Sequence, residues 1–233
     1  MTKADNRISF FSHFRGLLKD IQLISSPSFA SLHRKTLYIT TIDTLSKCRY
    51  PNETQNGKRF RDFVLNFGDW VDAIRVSLPQ LRMYIDGLSS AEKQQYIDLI
   101  NLIDNEIKDW QKGAFVDIHN DLLLADFNLI NTPNNIRSYQ HLELLWVYRN
   151  KIAHECRSPG YGADISIKDK AYYIDRSSEN SNGVWESTWE LTYPEALFCN
   201  LTSNCIINLE SYCNTHDIDP YESYEFGSEW HAR

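Results

Sequence analysis

Apolar residues in the first third of the chain recur at steps of three and four, the period of an amphipathic helix. Ile8, Phe11, Phe14, Leu18 and Ile21 predict a helix from Asn6 to about Ile24, ended by Ser25-Ser26-Pro27. Leu32, Leu37, Ile39, Ile42 and Leu45 predict a second from about Phe29 to Cys48, stopped by Pro51 and Asn52. A third, rich in Phe and Arg, runs from Gly57 to Asp69. Over 70–88 Pro79 interrupts a helical pattern and Gly87 closes it. Ser89-Ser90-Ala91-Glu92 has the spacing of a capping box, in which the Ser oxygen takes a backbone N–H and the Glu reaches back to another. A helix to about Gly113 should follow, striped by Tyr96, Leu99, Ile100, Ile103 and Ile107. Leu122 to Ile130 is a further helix-like apolar run, closed by Asn131 to Asn135 around Pro133.

Leu144-Leu145-Trp146-Val147-Tyr148 leaves no polar face for more than a turn, so the helix expected from about Ile136 to Glu155 should be buried on all sides. After Ser158-Pro159-Gly160 the period changes. Ala171 to Asp175 and Val184 to Thr192 are aromatic or β-branched segments separated by Arg176 to Gly183, a polar turn ending in Asn-Gly, which predicts a β-hairpin within about 164–192. Pro194 suits a first helical turn, and Ala196 to Tyr212 reads as a last helix. The tail over about 214–233 is acidic and aromatic, and is expected to be loosely ordered. The expected fold is all-α: one domain, 1–233, with a helical core and a small β-hairpin inserted before the C-terminal helix.

Composition narrows the function. With 233 residues, 42% hydrophobic and 24% charged, the chain can bury a substantial core and lies outside the disordered class. A net charge of -7 argues against a sequence-independent DNA binder, which carries a dominant basic face. Any nucleic-acid contact must be local, at His33-Arg34-Lys35, at Lys58-Arg59 with Arg61, or at Arg149 with Lys151, and each cluster alone reads first as a solvated helix face. Five cysteines without a CxxC pair fit neither a disulfide framework nor a zinc ribbon and read as reduced thiols. No apolar stretch matches a signal peptide or a membrane span. The expected location is the cytoplasm, with no membrane partner.

Tyr148-Arg149-Asn150-Lys151-Ile152-Ala153-His154-Glu155 ends the apolar central helix and is followed by Pro159-Gly160. This segment resembles the signature of the HEPN superfamily, an Arg followed by a polar residue and, after four to six positions in all, a His. The resemblance extends in outline to an earlier helix closing with Cys48-Arg49-Tyr50-Pro51 before the Phe- and Arg-rich helix. It implies a helical bundle and a dimeric, metal-independent endoribonuclease without cofactor, acting on RNA in a toxin–antitoxin or antiviral defence role, with an antitoxin or regulatory protein as possible partner. His154 would be the general base on a ribose 2′-hydroxyl or the acid on the leaving oxygen, Arg149 would stabilise the phosphorane, and Asn150 would position one of them. Tyr148 and Lys151 would bind substrate. The same spacing joins Arg7 to His13, but Ile8 follows that Arg and the pair lies in an ordinary amphipathic helix.

The chemistry can be weighed without the family. Arg149 is in register with Leu142, Leu145 and Trp146, so its guanidinium leaves an apolar stripe and must meet a carboxylate or an incoming anion. Asn150 and His154, four apart, share a helix face on which the amide can orient the imidazole. Arg149 and His154, five apart, lie roughly 140° around an ideal helix and do not converge. Either the helix frays after Ala153 or two copies pair across a twofold axis, as the HEPN resemblance implies. Two rivals stand beside the nuclease: a non-catalytic HEPN-like module binding a nucleotide or protein, and a helical scaffold in which Arg149 is a core ion pair and His154 a favourable helix end. Cys213 with His216 is half of a zinc site at most, His119-Asn120-Asp121 with Asp117 reads as a helix cap, and Asp43, which could pair with Arg149 from the second helix, reads first as solvated. No phosphate-cradling GxxxxGK[ST], GxSxG elbow or GxGxxG occurs.

Overall fold

The computed structural model describes residues 2–26, 28–110, 115–127, 136–160, 164, 168–179, 183 and 185–224. The fold is mainly helical with small antiparallel sheets. In chain order it comprises α1 (Lys3–Leu23), α2 (Ala30–Arg49), α3 (Asn56–Phe67), β1 (Arg75–Val76), α4 (Leu78–Asp86), α5 (Ser90–Lys93), α6 (Ile97–Ile107), β2 (Phe115–Asp117), β3 (Leu122–Leu123), α7 (His141–Glu155), β4 (Tyr172–Glu179), β5 (Trp185–Thr192) and α8 (Glu195–Thr215). Among the described residues no helix is long and apolar enough to cross a membrane. The chain divides into two compact units. The first takes the described residues of Met1–Trp70, Ile152–Cys156 and Phe198–Arg233; the second takes those of Val71–Lys151 and Arg157–Leu197.

In the first unit α1, α2, α3 and most of α8 bury the apolar stripes that their periodicity implies: Phe10, Phe11 and Phe14; Tyr38, Ile39, Ile42 and Leu45; Phe60, Phe63 and Val64; Phe198, Leu201 and Leu209. Phe10 packs tilted against Phe14 at 4.8 Å and Phe67 edge-on against Tyr212 at 5.8 Å, geometries that ring quadrupoles favour. Orphan carbonyls at the end of α3 are met by α8, where Asn204 donates to the Gly68 carbonyl and Asn208 to that of Phe67, each at 3.0 Å. Gly68 is needed there, since a Cβ would come within 2.6 Å of the Val64 carbonyl oxygen. The basic clusters are partly structural. Lys35 is only 4% exposed, with its ammonium 5.7 Å from the Phe198 ring, and Lys58 is paired with Glu53 and Asp62, each at 2.9 Å. Burial pushes the Cys48 and Cys213 thiols up to about 12 and about 11, and all five cysteines are free thiols.

The tail departs from expectation. α8 runs to Thr215, and beyond it Arg7 pairs with Asp217 at 2.8 Å, Asn6 donates to Asp219, and Tyr221 and Tyr224 set their rings edge-on against Phe10, each at 5.6 Å. Its aromatic residues therefore complete the α1 core; 225–233 lie outside the described residues. Ending the chain at His216 should lower the unfolding free energy by about 2 kcal/mol or more, because each ring pair is worth about 0.5–1.5 kcal/mol beyond its burial. A urea titration checks this, and an unchanged midpoint would show that the tail only rests on the surface.

In the second unit α4 packs on α6 around Leu81, Ile85, Leu99 and Ile103, with Val76, Phe127 and Ile136. Pro79 does not break a helix: Ser77 caps α4 and the proline lies in its first turn, where an N–H is unneeded. The Ser89–Glu92 capping box forms, opening α5. The hairpin forms as β4 and β5, paired from Tyr172↔Thr192 to Glu179↔Trp185, so its strands extend well into the expected turn; Asn182 of the Asn-Gly step lies outside the described residues. β2 joins as a third strand against β4. The helix-like run expected from Leu122 is not a helix over its described part. Leu122 and Leu123 pair with Val76 and Arg75, and Leu124–Phe127 is a 3-10 turn; 128–135 lie outside the described residues.

Candidate active site

α7 is an unbroken helix, and its buried positions, His141, Leu145, Tyr148 and Ile152, recur at steps of four, three and four. Expectation of burial on all sides is therefore corrected. One stripe is inward, and Val147 on another face is 46% exposed. An apolar sequence run hides this distinction because periodicity cannot be read where every residue is apolar. Arg149, Asn150 and Lys151 are half-buried, and Ala153, His154 and Glu155 are exposed.

The Arg149 guanidinium lies 5.1 Å from the centre of the Trp146 ring and donates from Nη1 to Asn150 Oδ1 at 3.2 Å. Asn150 thus serves the guanidinium, and the expected contact between its amide and the His154 ring is not made. Among the described residues no side chain hydrogen-bonds to His154. The other expectation to correct is fraying after Ala153. The Cys156 amide still bonds the Ile152 carbonyl at 3.2 Å, and the turn ends only at Cys156, whose φ of 51° is left-handed. Residues five apart on a regular helix stay roughly 140° apart. One copy of α7 therefore does not converge Arg149 and His154.

A second cluster sits in the interior of the second unit. His141 Nε2 donates to Asp121 Oδ2 at 2.8 Å, its Nδ1 lies 3.0 Å from the Tyr193 hydroxyl, Tyr173 donates to Asp121 Oδ2 at 2.6 Å, and the Leu78 amide donates to Asp121 Oδ1 at 3.1 Å. Burial first, and the Asp121 charge second, hold the Tyr173 and Tyr193 hydroxyls well above their ordinary pKa, so both stay protonated. His141 and Asp121 side chains are wholly inaccessible, so no substrate reaches them and the cluster is structural. Of the polar residues weighed as a cap, Asp117 does cap, accepting from the His119 amide at 2.8 Å, whereas Asp121 belongs to this interior network. His119 Nδ1 instead meets Asp72 at 2.9 Å.

Near that network, within the same unit, lies an open cleft of about 440 Å³, a figure that includes the solvent-open space at its mouth. Leu144, Val147 and Tyr148 of α7 line it together with Pro159, Gly160 and Glu190. Tyr148, buried to 4% exposure, has its hydroxyl 2.9 Å from Ser158 Oγ. Glu190 has no local sequence signal, since a carboxylate in a strand ordinarily faces water.

Other candidates resolve structurally. Arg7, of the Arg7–His13 pair, holds Asp217. His216 bonds the Tyr212 carbonyl through Nδ1, while Cys213 is buried. Asp43 is half-buried on α2. Among the described residues no three His, Cys, Asp or Glu side chains group as metal ligands. Compared with family models, with curated proteins and with solved structures, the chain matches none.

Proposed function

We propose that this protein is a metal-independent, HEPN-type endoribonuclease that cleaves RNA as a homodimer in the cytoplasm, in a toxin or antiviral defence role held in check by an antitoxin or regulatory protein. The observation that supports it is the pairing of an exposed His154 with a half-buried, internally braced Arg149 on one unbroken helix. An imidazole open to substrate suits proton transfer near neutrality. A guanidinium already held by Asn150 and Trp146 is preorganised for a phosphorane. Because α7 keeps the two apart, a complete site takes Arg149 from one copy and His154 from another.

In this reading His154 takes the 2′-hydroxyl proton while the oxygen attacks the adjacent phosphorus. The bond to the 5′-oxygen breaks, that oxygen leaves with a proton, and a 2′,3′-cyclic phosphate remains. Asn150 is a positioning residue for Arg149. A scaffold reading is favoured by one observation, that two groups bracing Arg149, the Asn150 amide oxygen and the Trp146 ring, belong to its own helix. Incubating the purified chain with end-labelled RNA in EDTA separates the two: fragments ending in cyclic phosphate are expected. Intact RNA with chelator, and cutting restored by zinc or magnesium, would remove His154 from the role assigned to it.

A further inference from the structure

The cleft of the second unit sets a carboxylate among apolar walls. Glu190 is 8% exposed on β5, Leu144, Val147 and Pro159 supply hydrocarbon, and Tyr148 also lines the wall. Gly160, at φ 69°, sits so close that a Cβ there would lie 3.2 Å from Glu190 Oε2. A side chain at 160 would crowd that oxygen as well as strain the backbone. Burying an acid beside hydrocarbon is costly unless donors meet it. A carboxylate has about four lone-pair positions, so it can accept from a ligand in addition to its protein partners.

A group that fits is flat, apolar on its faces and edged by two adjacent N–H donors. Guanine is such a group: N1–H and N2–H lie side by side on its pairing edge. Adenine puts an acceptor at N1, cytosine sets one donor beside the N3 acceptor, and uracil flanks its single N–H with two carbonyls. Each would bring a lone pair against the carboxylate. Enzymes that take a base out of its stack read it in this way, by its pairing edge and by packing on its faces. Lys151 falls on the helical stripe of Leu144, Val147 and Tyr148, at steps of three, four and seven, the register from which a cation can meet the phosphate of a nucleotide seated in the cleft.

We propose that this cleft is a guanine-recognition site, in which Glu190 accepts from N1–H and N2–H and which selects guanosine-bearing RNA. The proposal rests on the endoribonuclease reading for its biological substrate but not for its ligand. The test titrates the full-length protein with 3′-GMP, 3′-AMP, 3′-CMP and 3′-UMP, followed by calorimetry, and maps cleavage sites in a mixed-sequence RNA. GMP should bind at least about tenfold tighter than the others, since a good bidentate base contact discriminates by about fivefold to over a hundredfold. Glu190→Gln should level the four affinities. Val147→Trp, at an exposed cleft-lining position, should abolish GMP binding while circular dichroism stays unchanged, and so serves if the Glu190 variant does not fold. GMP selection without RNA cleavage would support the pocket and remove the nuclease. Cleavage without base preference, with equal or absent nucleotide binding, would overturn the pocket and leave the nuclease. Tighter binding of a blocked arginine, N-acetylarginine methylamide, than of GMP would also overturn it, because the cleft would then read a guanidinium of a protein partner.

Discussion

Replacing His154 by Ala should lower RNA cleavage by about 10²–10⁴-fold, the worth of a positioned acid or base, while RNA binding stays nearly intact. The imidazole is exposed and makes no hydrogen bond to a described side chain, so its removal leaves no buried partner unsatisfied and the fold should be unaffected. Arg149→Lys should also fail, because a point charge cannot reproduce a planar fork over Trp146 and against Asn150. A composite site adds a sharper expectation. Mixing Arg149→Ala with His154→Ala protein should restore about a quarter of wild-type activity, since random pairing makes half the dimers mixed and each then holds one intact site of two. A site within one chain predicts no restoration. DNA should be inert, as should RNA with a single 2′-deoxy sugar at the mapped cleavage position. Cutting at that sugar, or full activity in the His154→Ala protein, would sink the mechanism.

Much of the first unit was legible because its helices are each apolar on one side and separated by Pro or polar breaks, so Phe11, Phe14, Ile39 and Ile42 announce their burial by spacing alone. What was missed is non-local. Leu122 and Leu123 satisfy helical periodicity, but Leu123 donates its amide to Asp126 at 2.7 Å and pairs across to Arg75, and a side chain that bonds nearby backbone offers an alternative to a helix that hydrophobic spacing does not register. The tail is polar enough to look solvated until Tyr221 and Tyr224 meet Phe10, more than two hundred positions earlier. At the candidate site the Arg149, Asn150 and His154 positions were legible but their contacts were not. Neighbours at i and i+1 do not share a helix face, yet a side chain as long as arginine reaches around to Asn150, displacing the i to i+4 contact that spacing suggested.

Asp121, which sequence spacing assigned to a surface cap, should instead prove one of the most costly residues to remove. Its carboxylate accepts from His141, from Tyr173 and from the Leu78 amide, and the last of these puts a negative charge at the N-terminus of α4, where the helix dipole favours it. Asp121→Ala strands the His141 ring and the Leu78 amide in a buried site, while the Tyr173 hydroxyl keeps Ser77 Oγ at 2.8 Å. Breaking a buried pair from one side costs about 3–5 kcal/mol, a large share of the about 5–15 kcal/mol that holds a typical domain together. Asp121→Asn keeps the shape and one acceptor, and its amide can face His141 if the imidazole adopts the other tautomer, so its cost should be about 1–2 kcal/mol. Trp110 stacks on Tyr173 at 5.2 Å, so tryptophan fluorescence during urea unfolding reports on this region directly. A loss below about 1 kcal/mol in Asp121→Ala would mean that the interior network is not what fixes the second unit. The expected large loss would tie the cleft to it, because Tyr193 both lines the cleft and approaches His141 at 3.0 Å. Weakened GMP binding in Asp121→Asn, with His154 untouched, would then measure how far the buried carboxylate supports the one at Glu190.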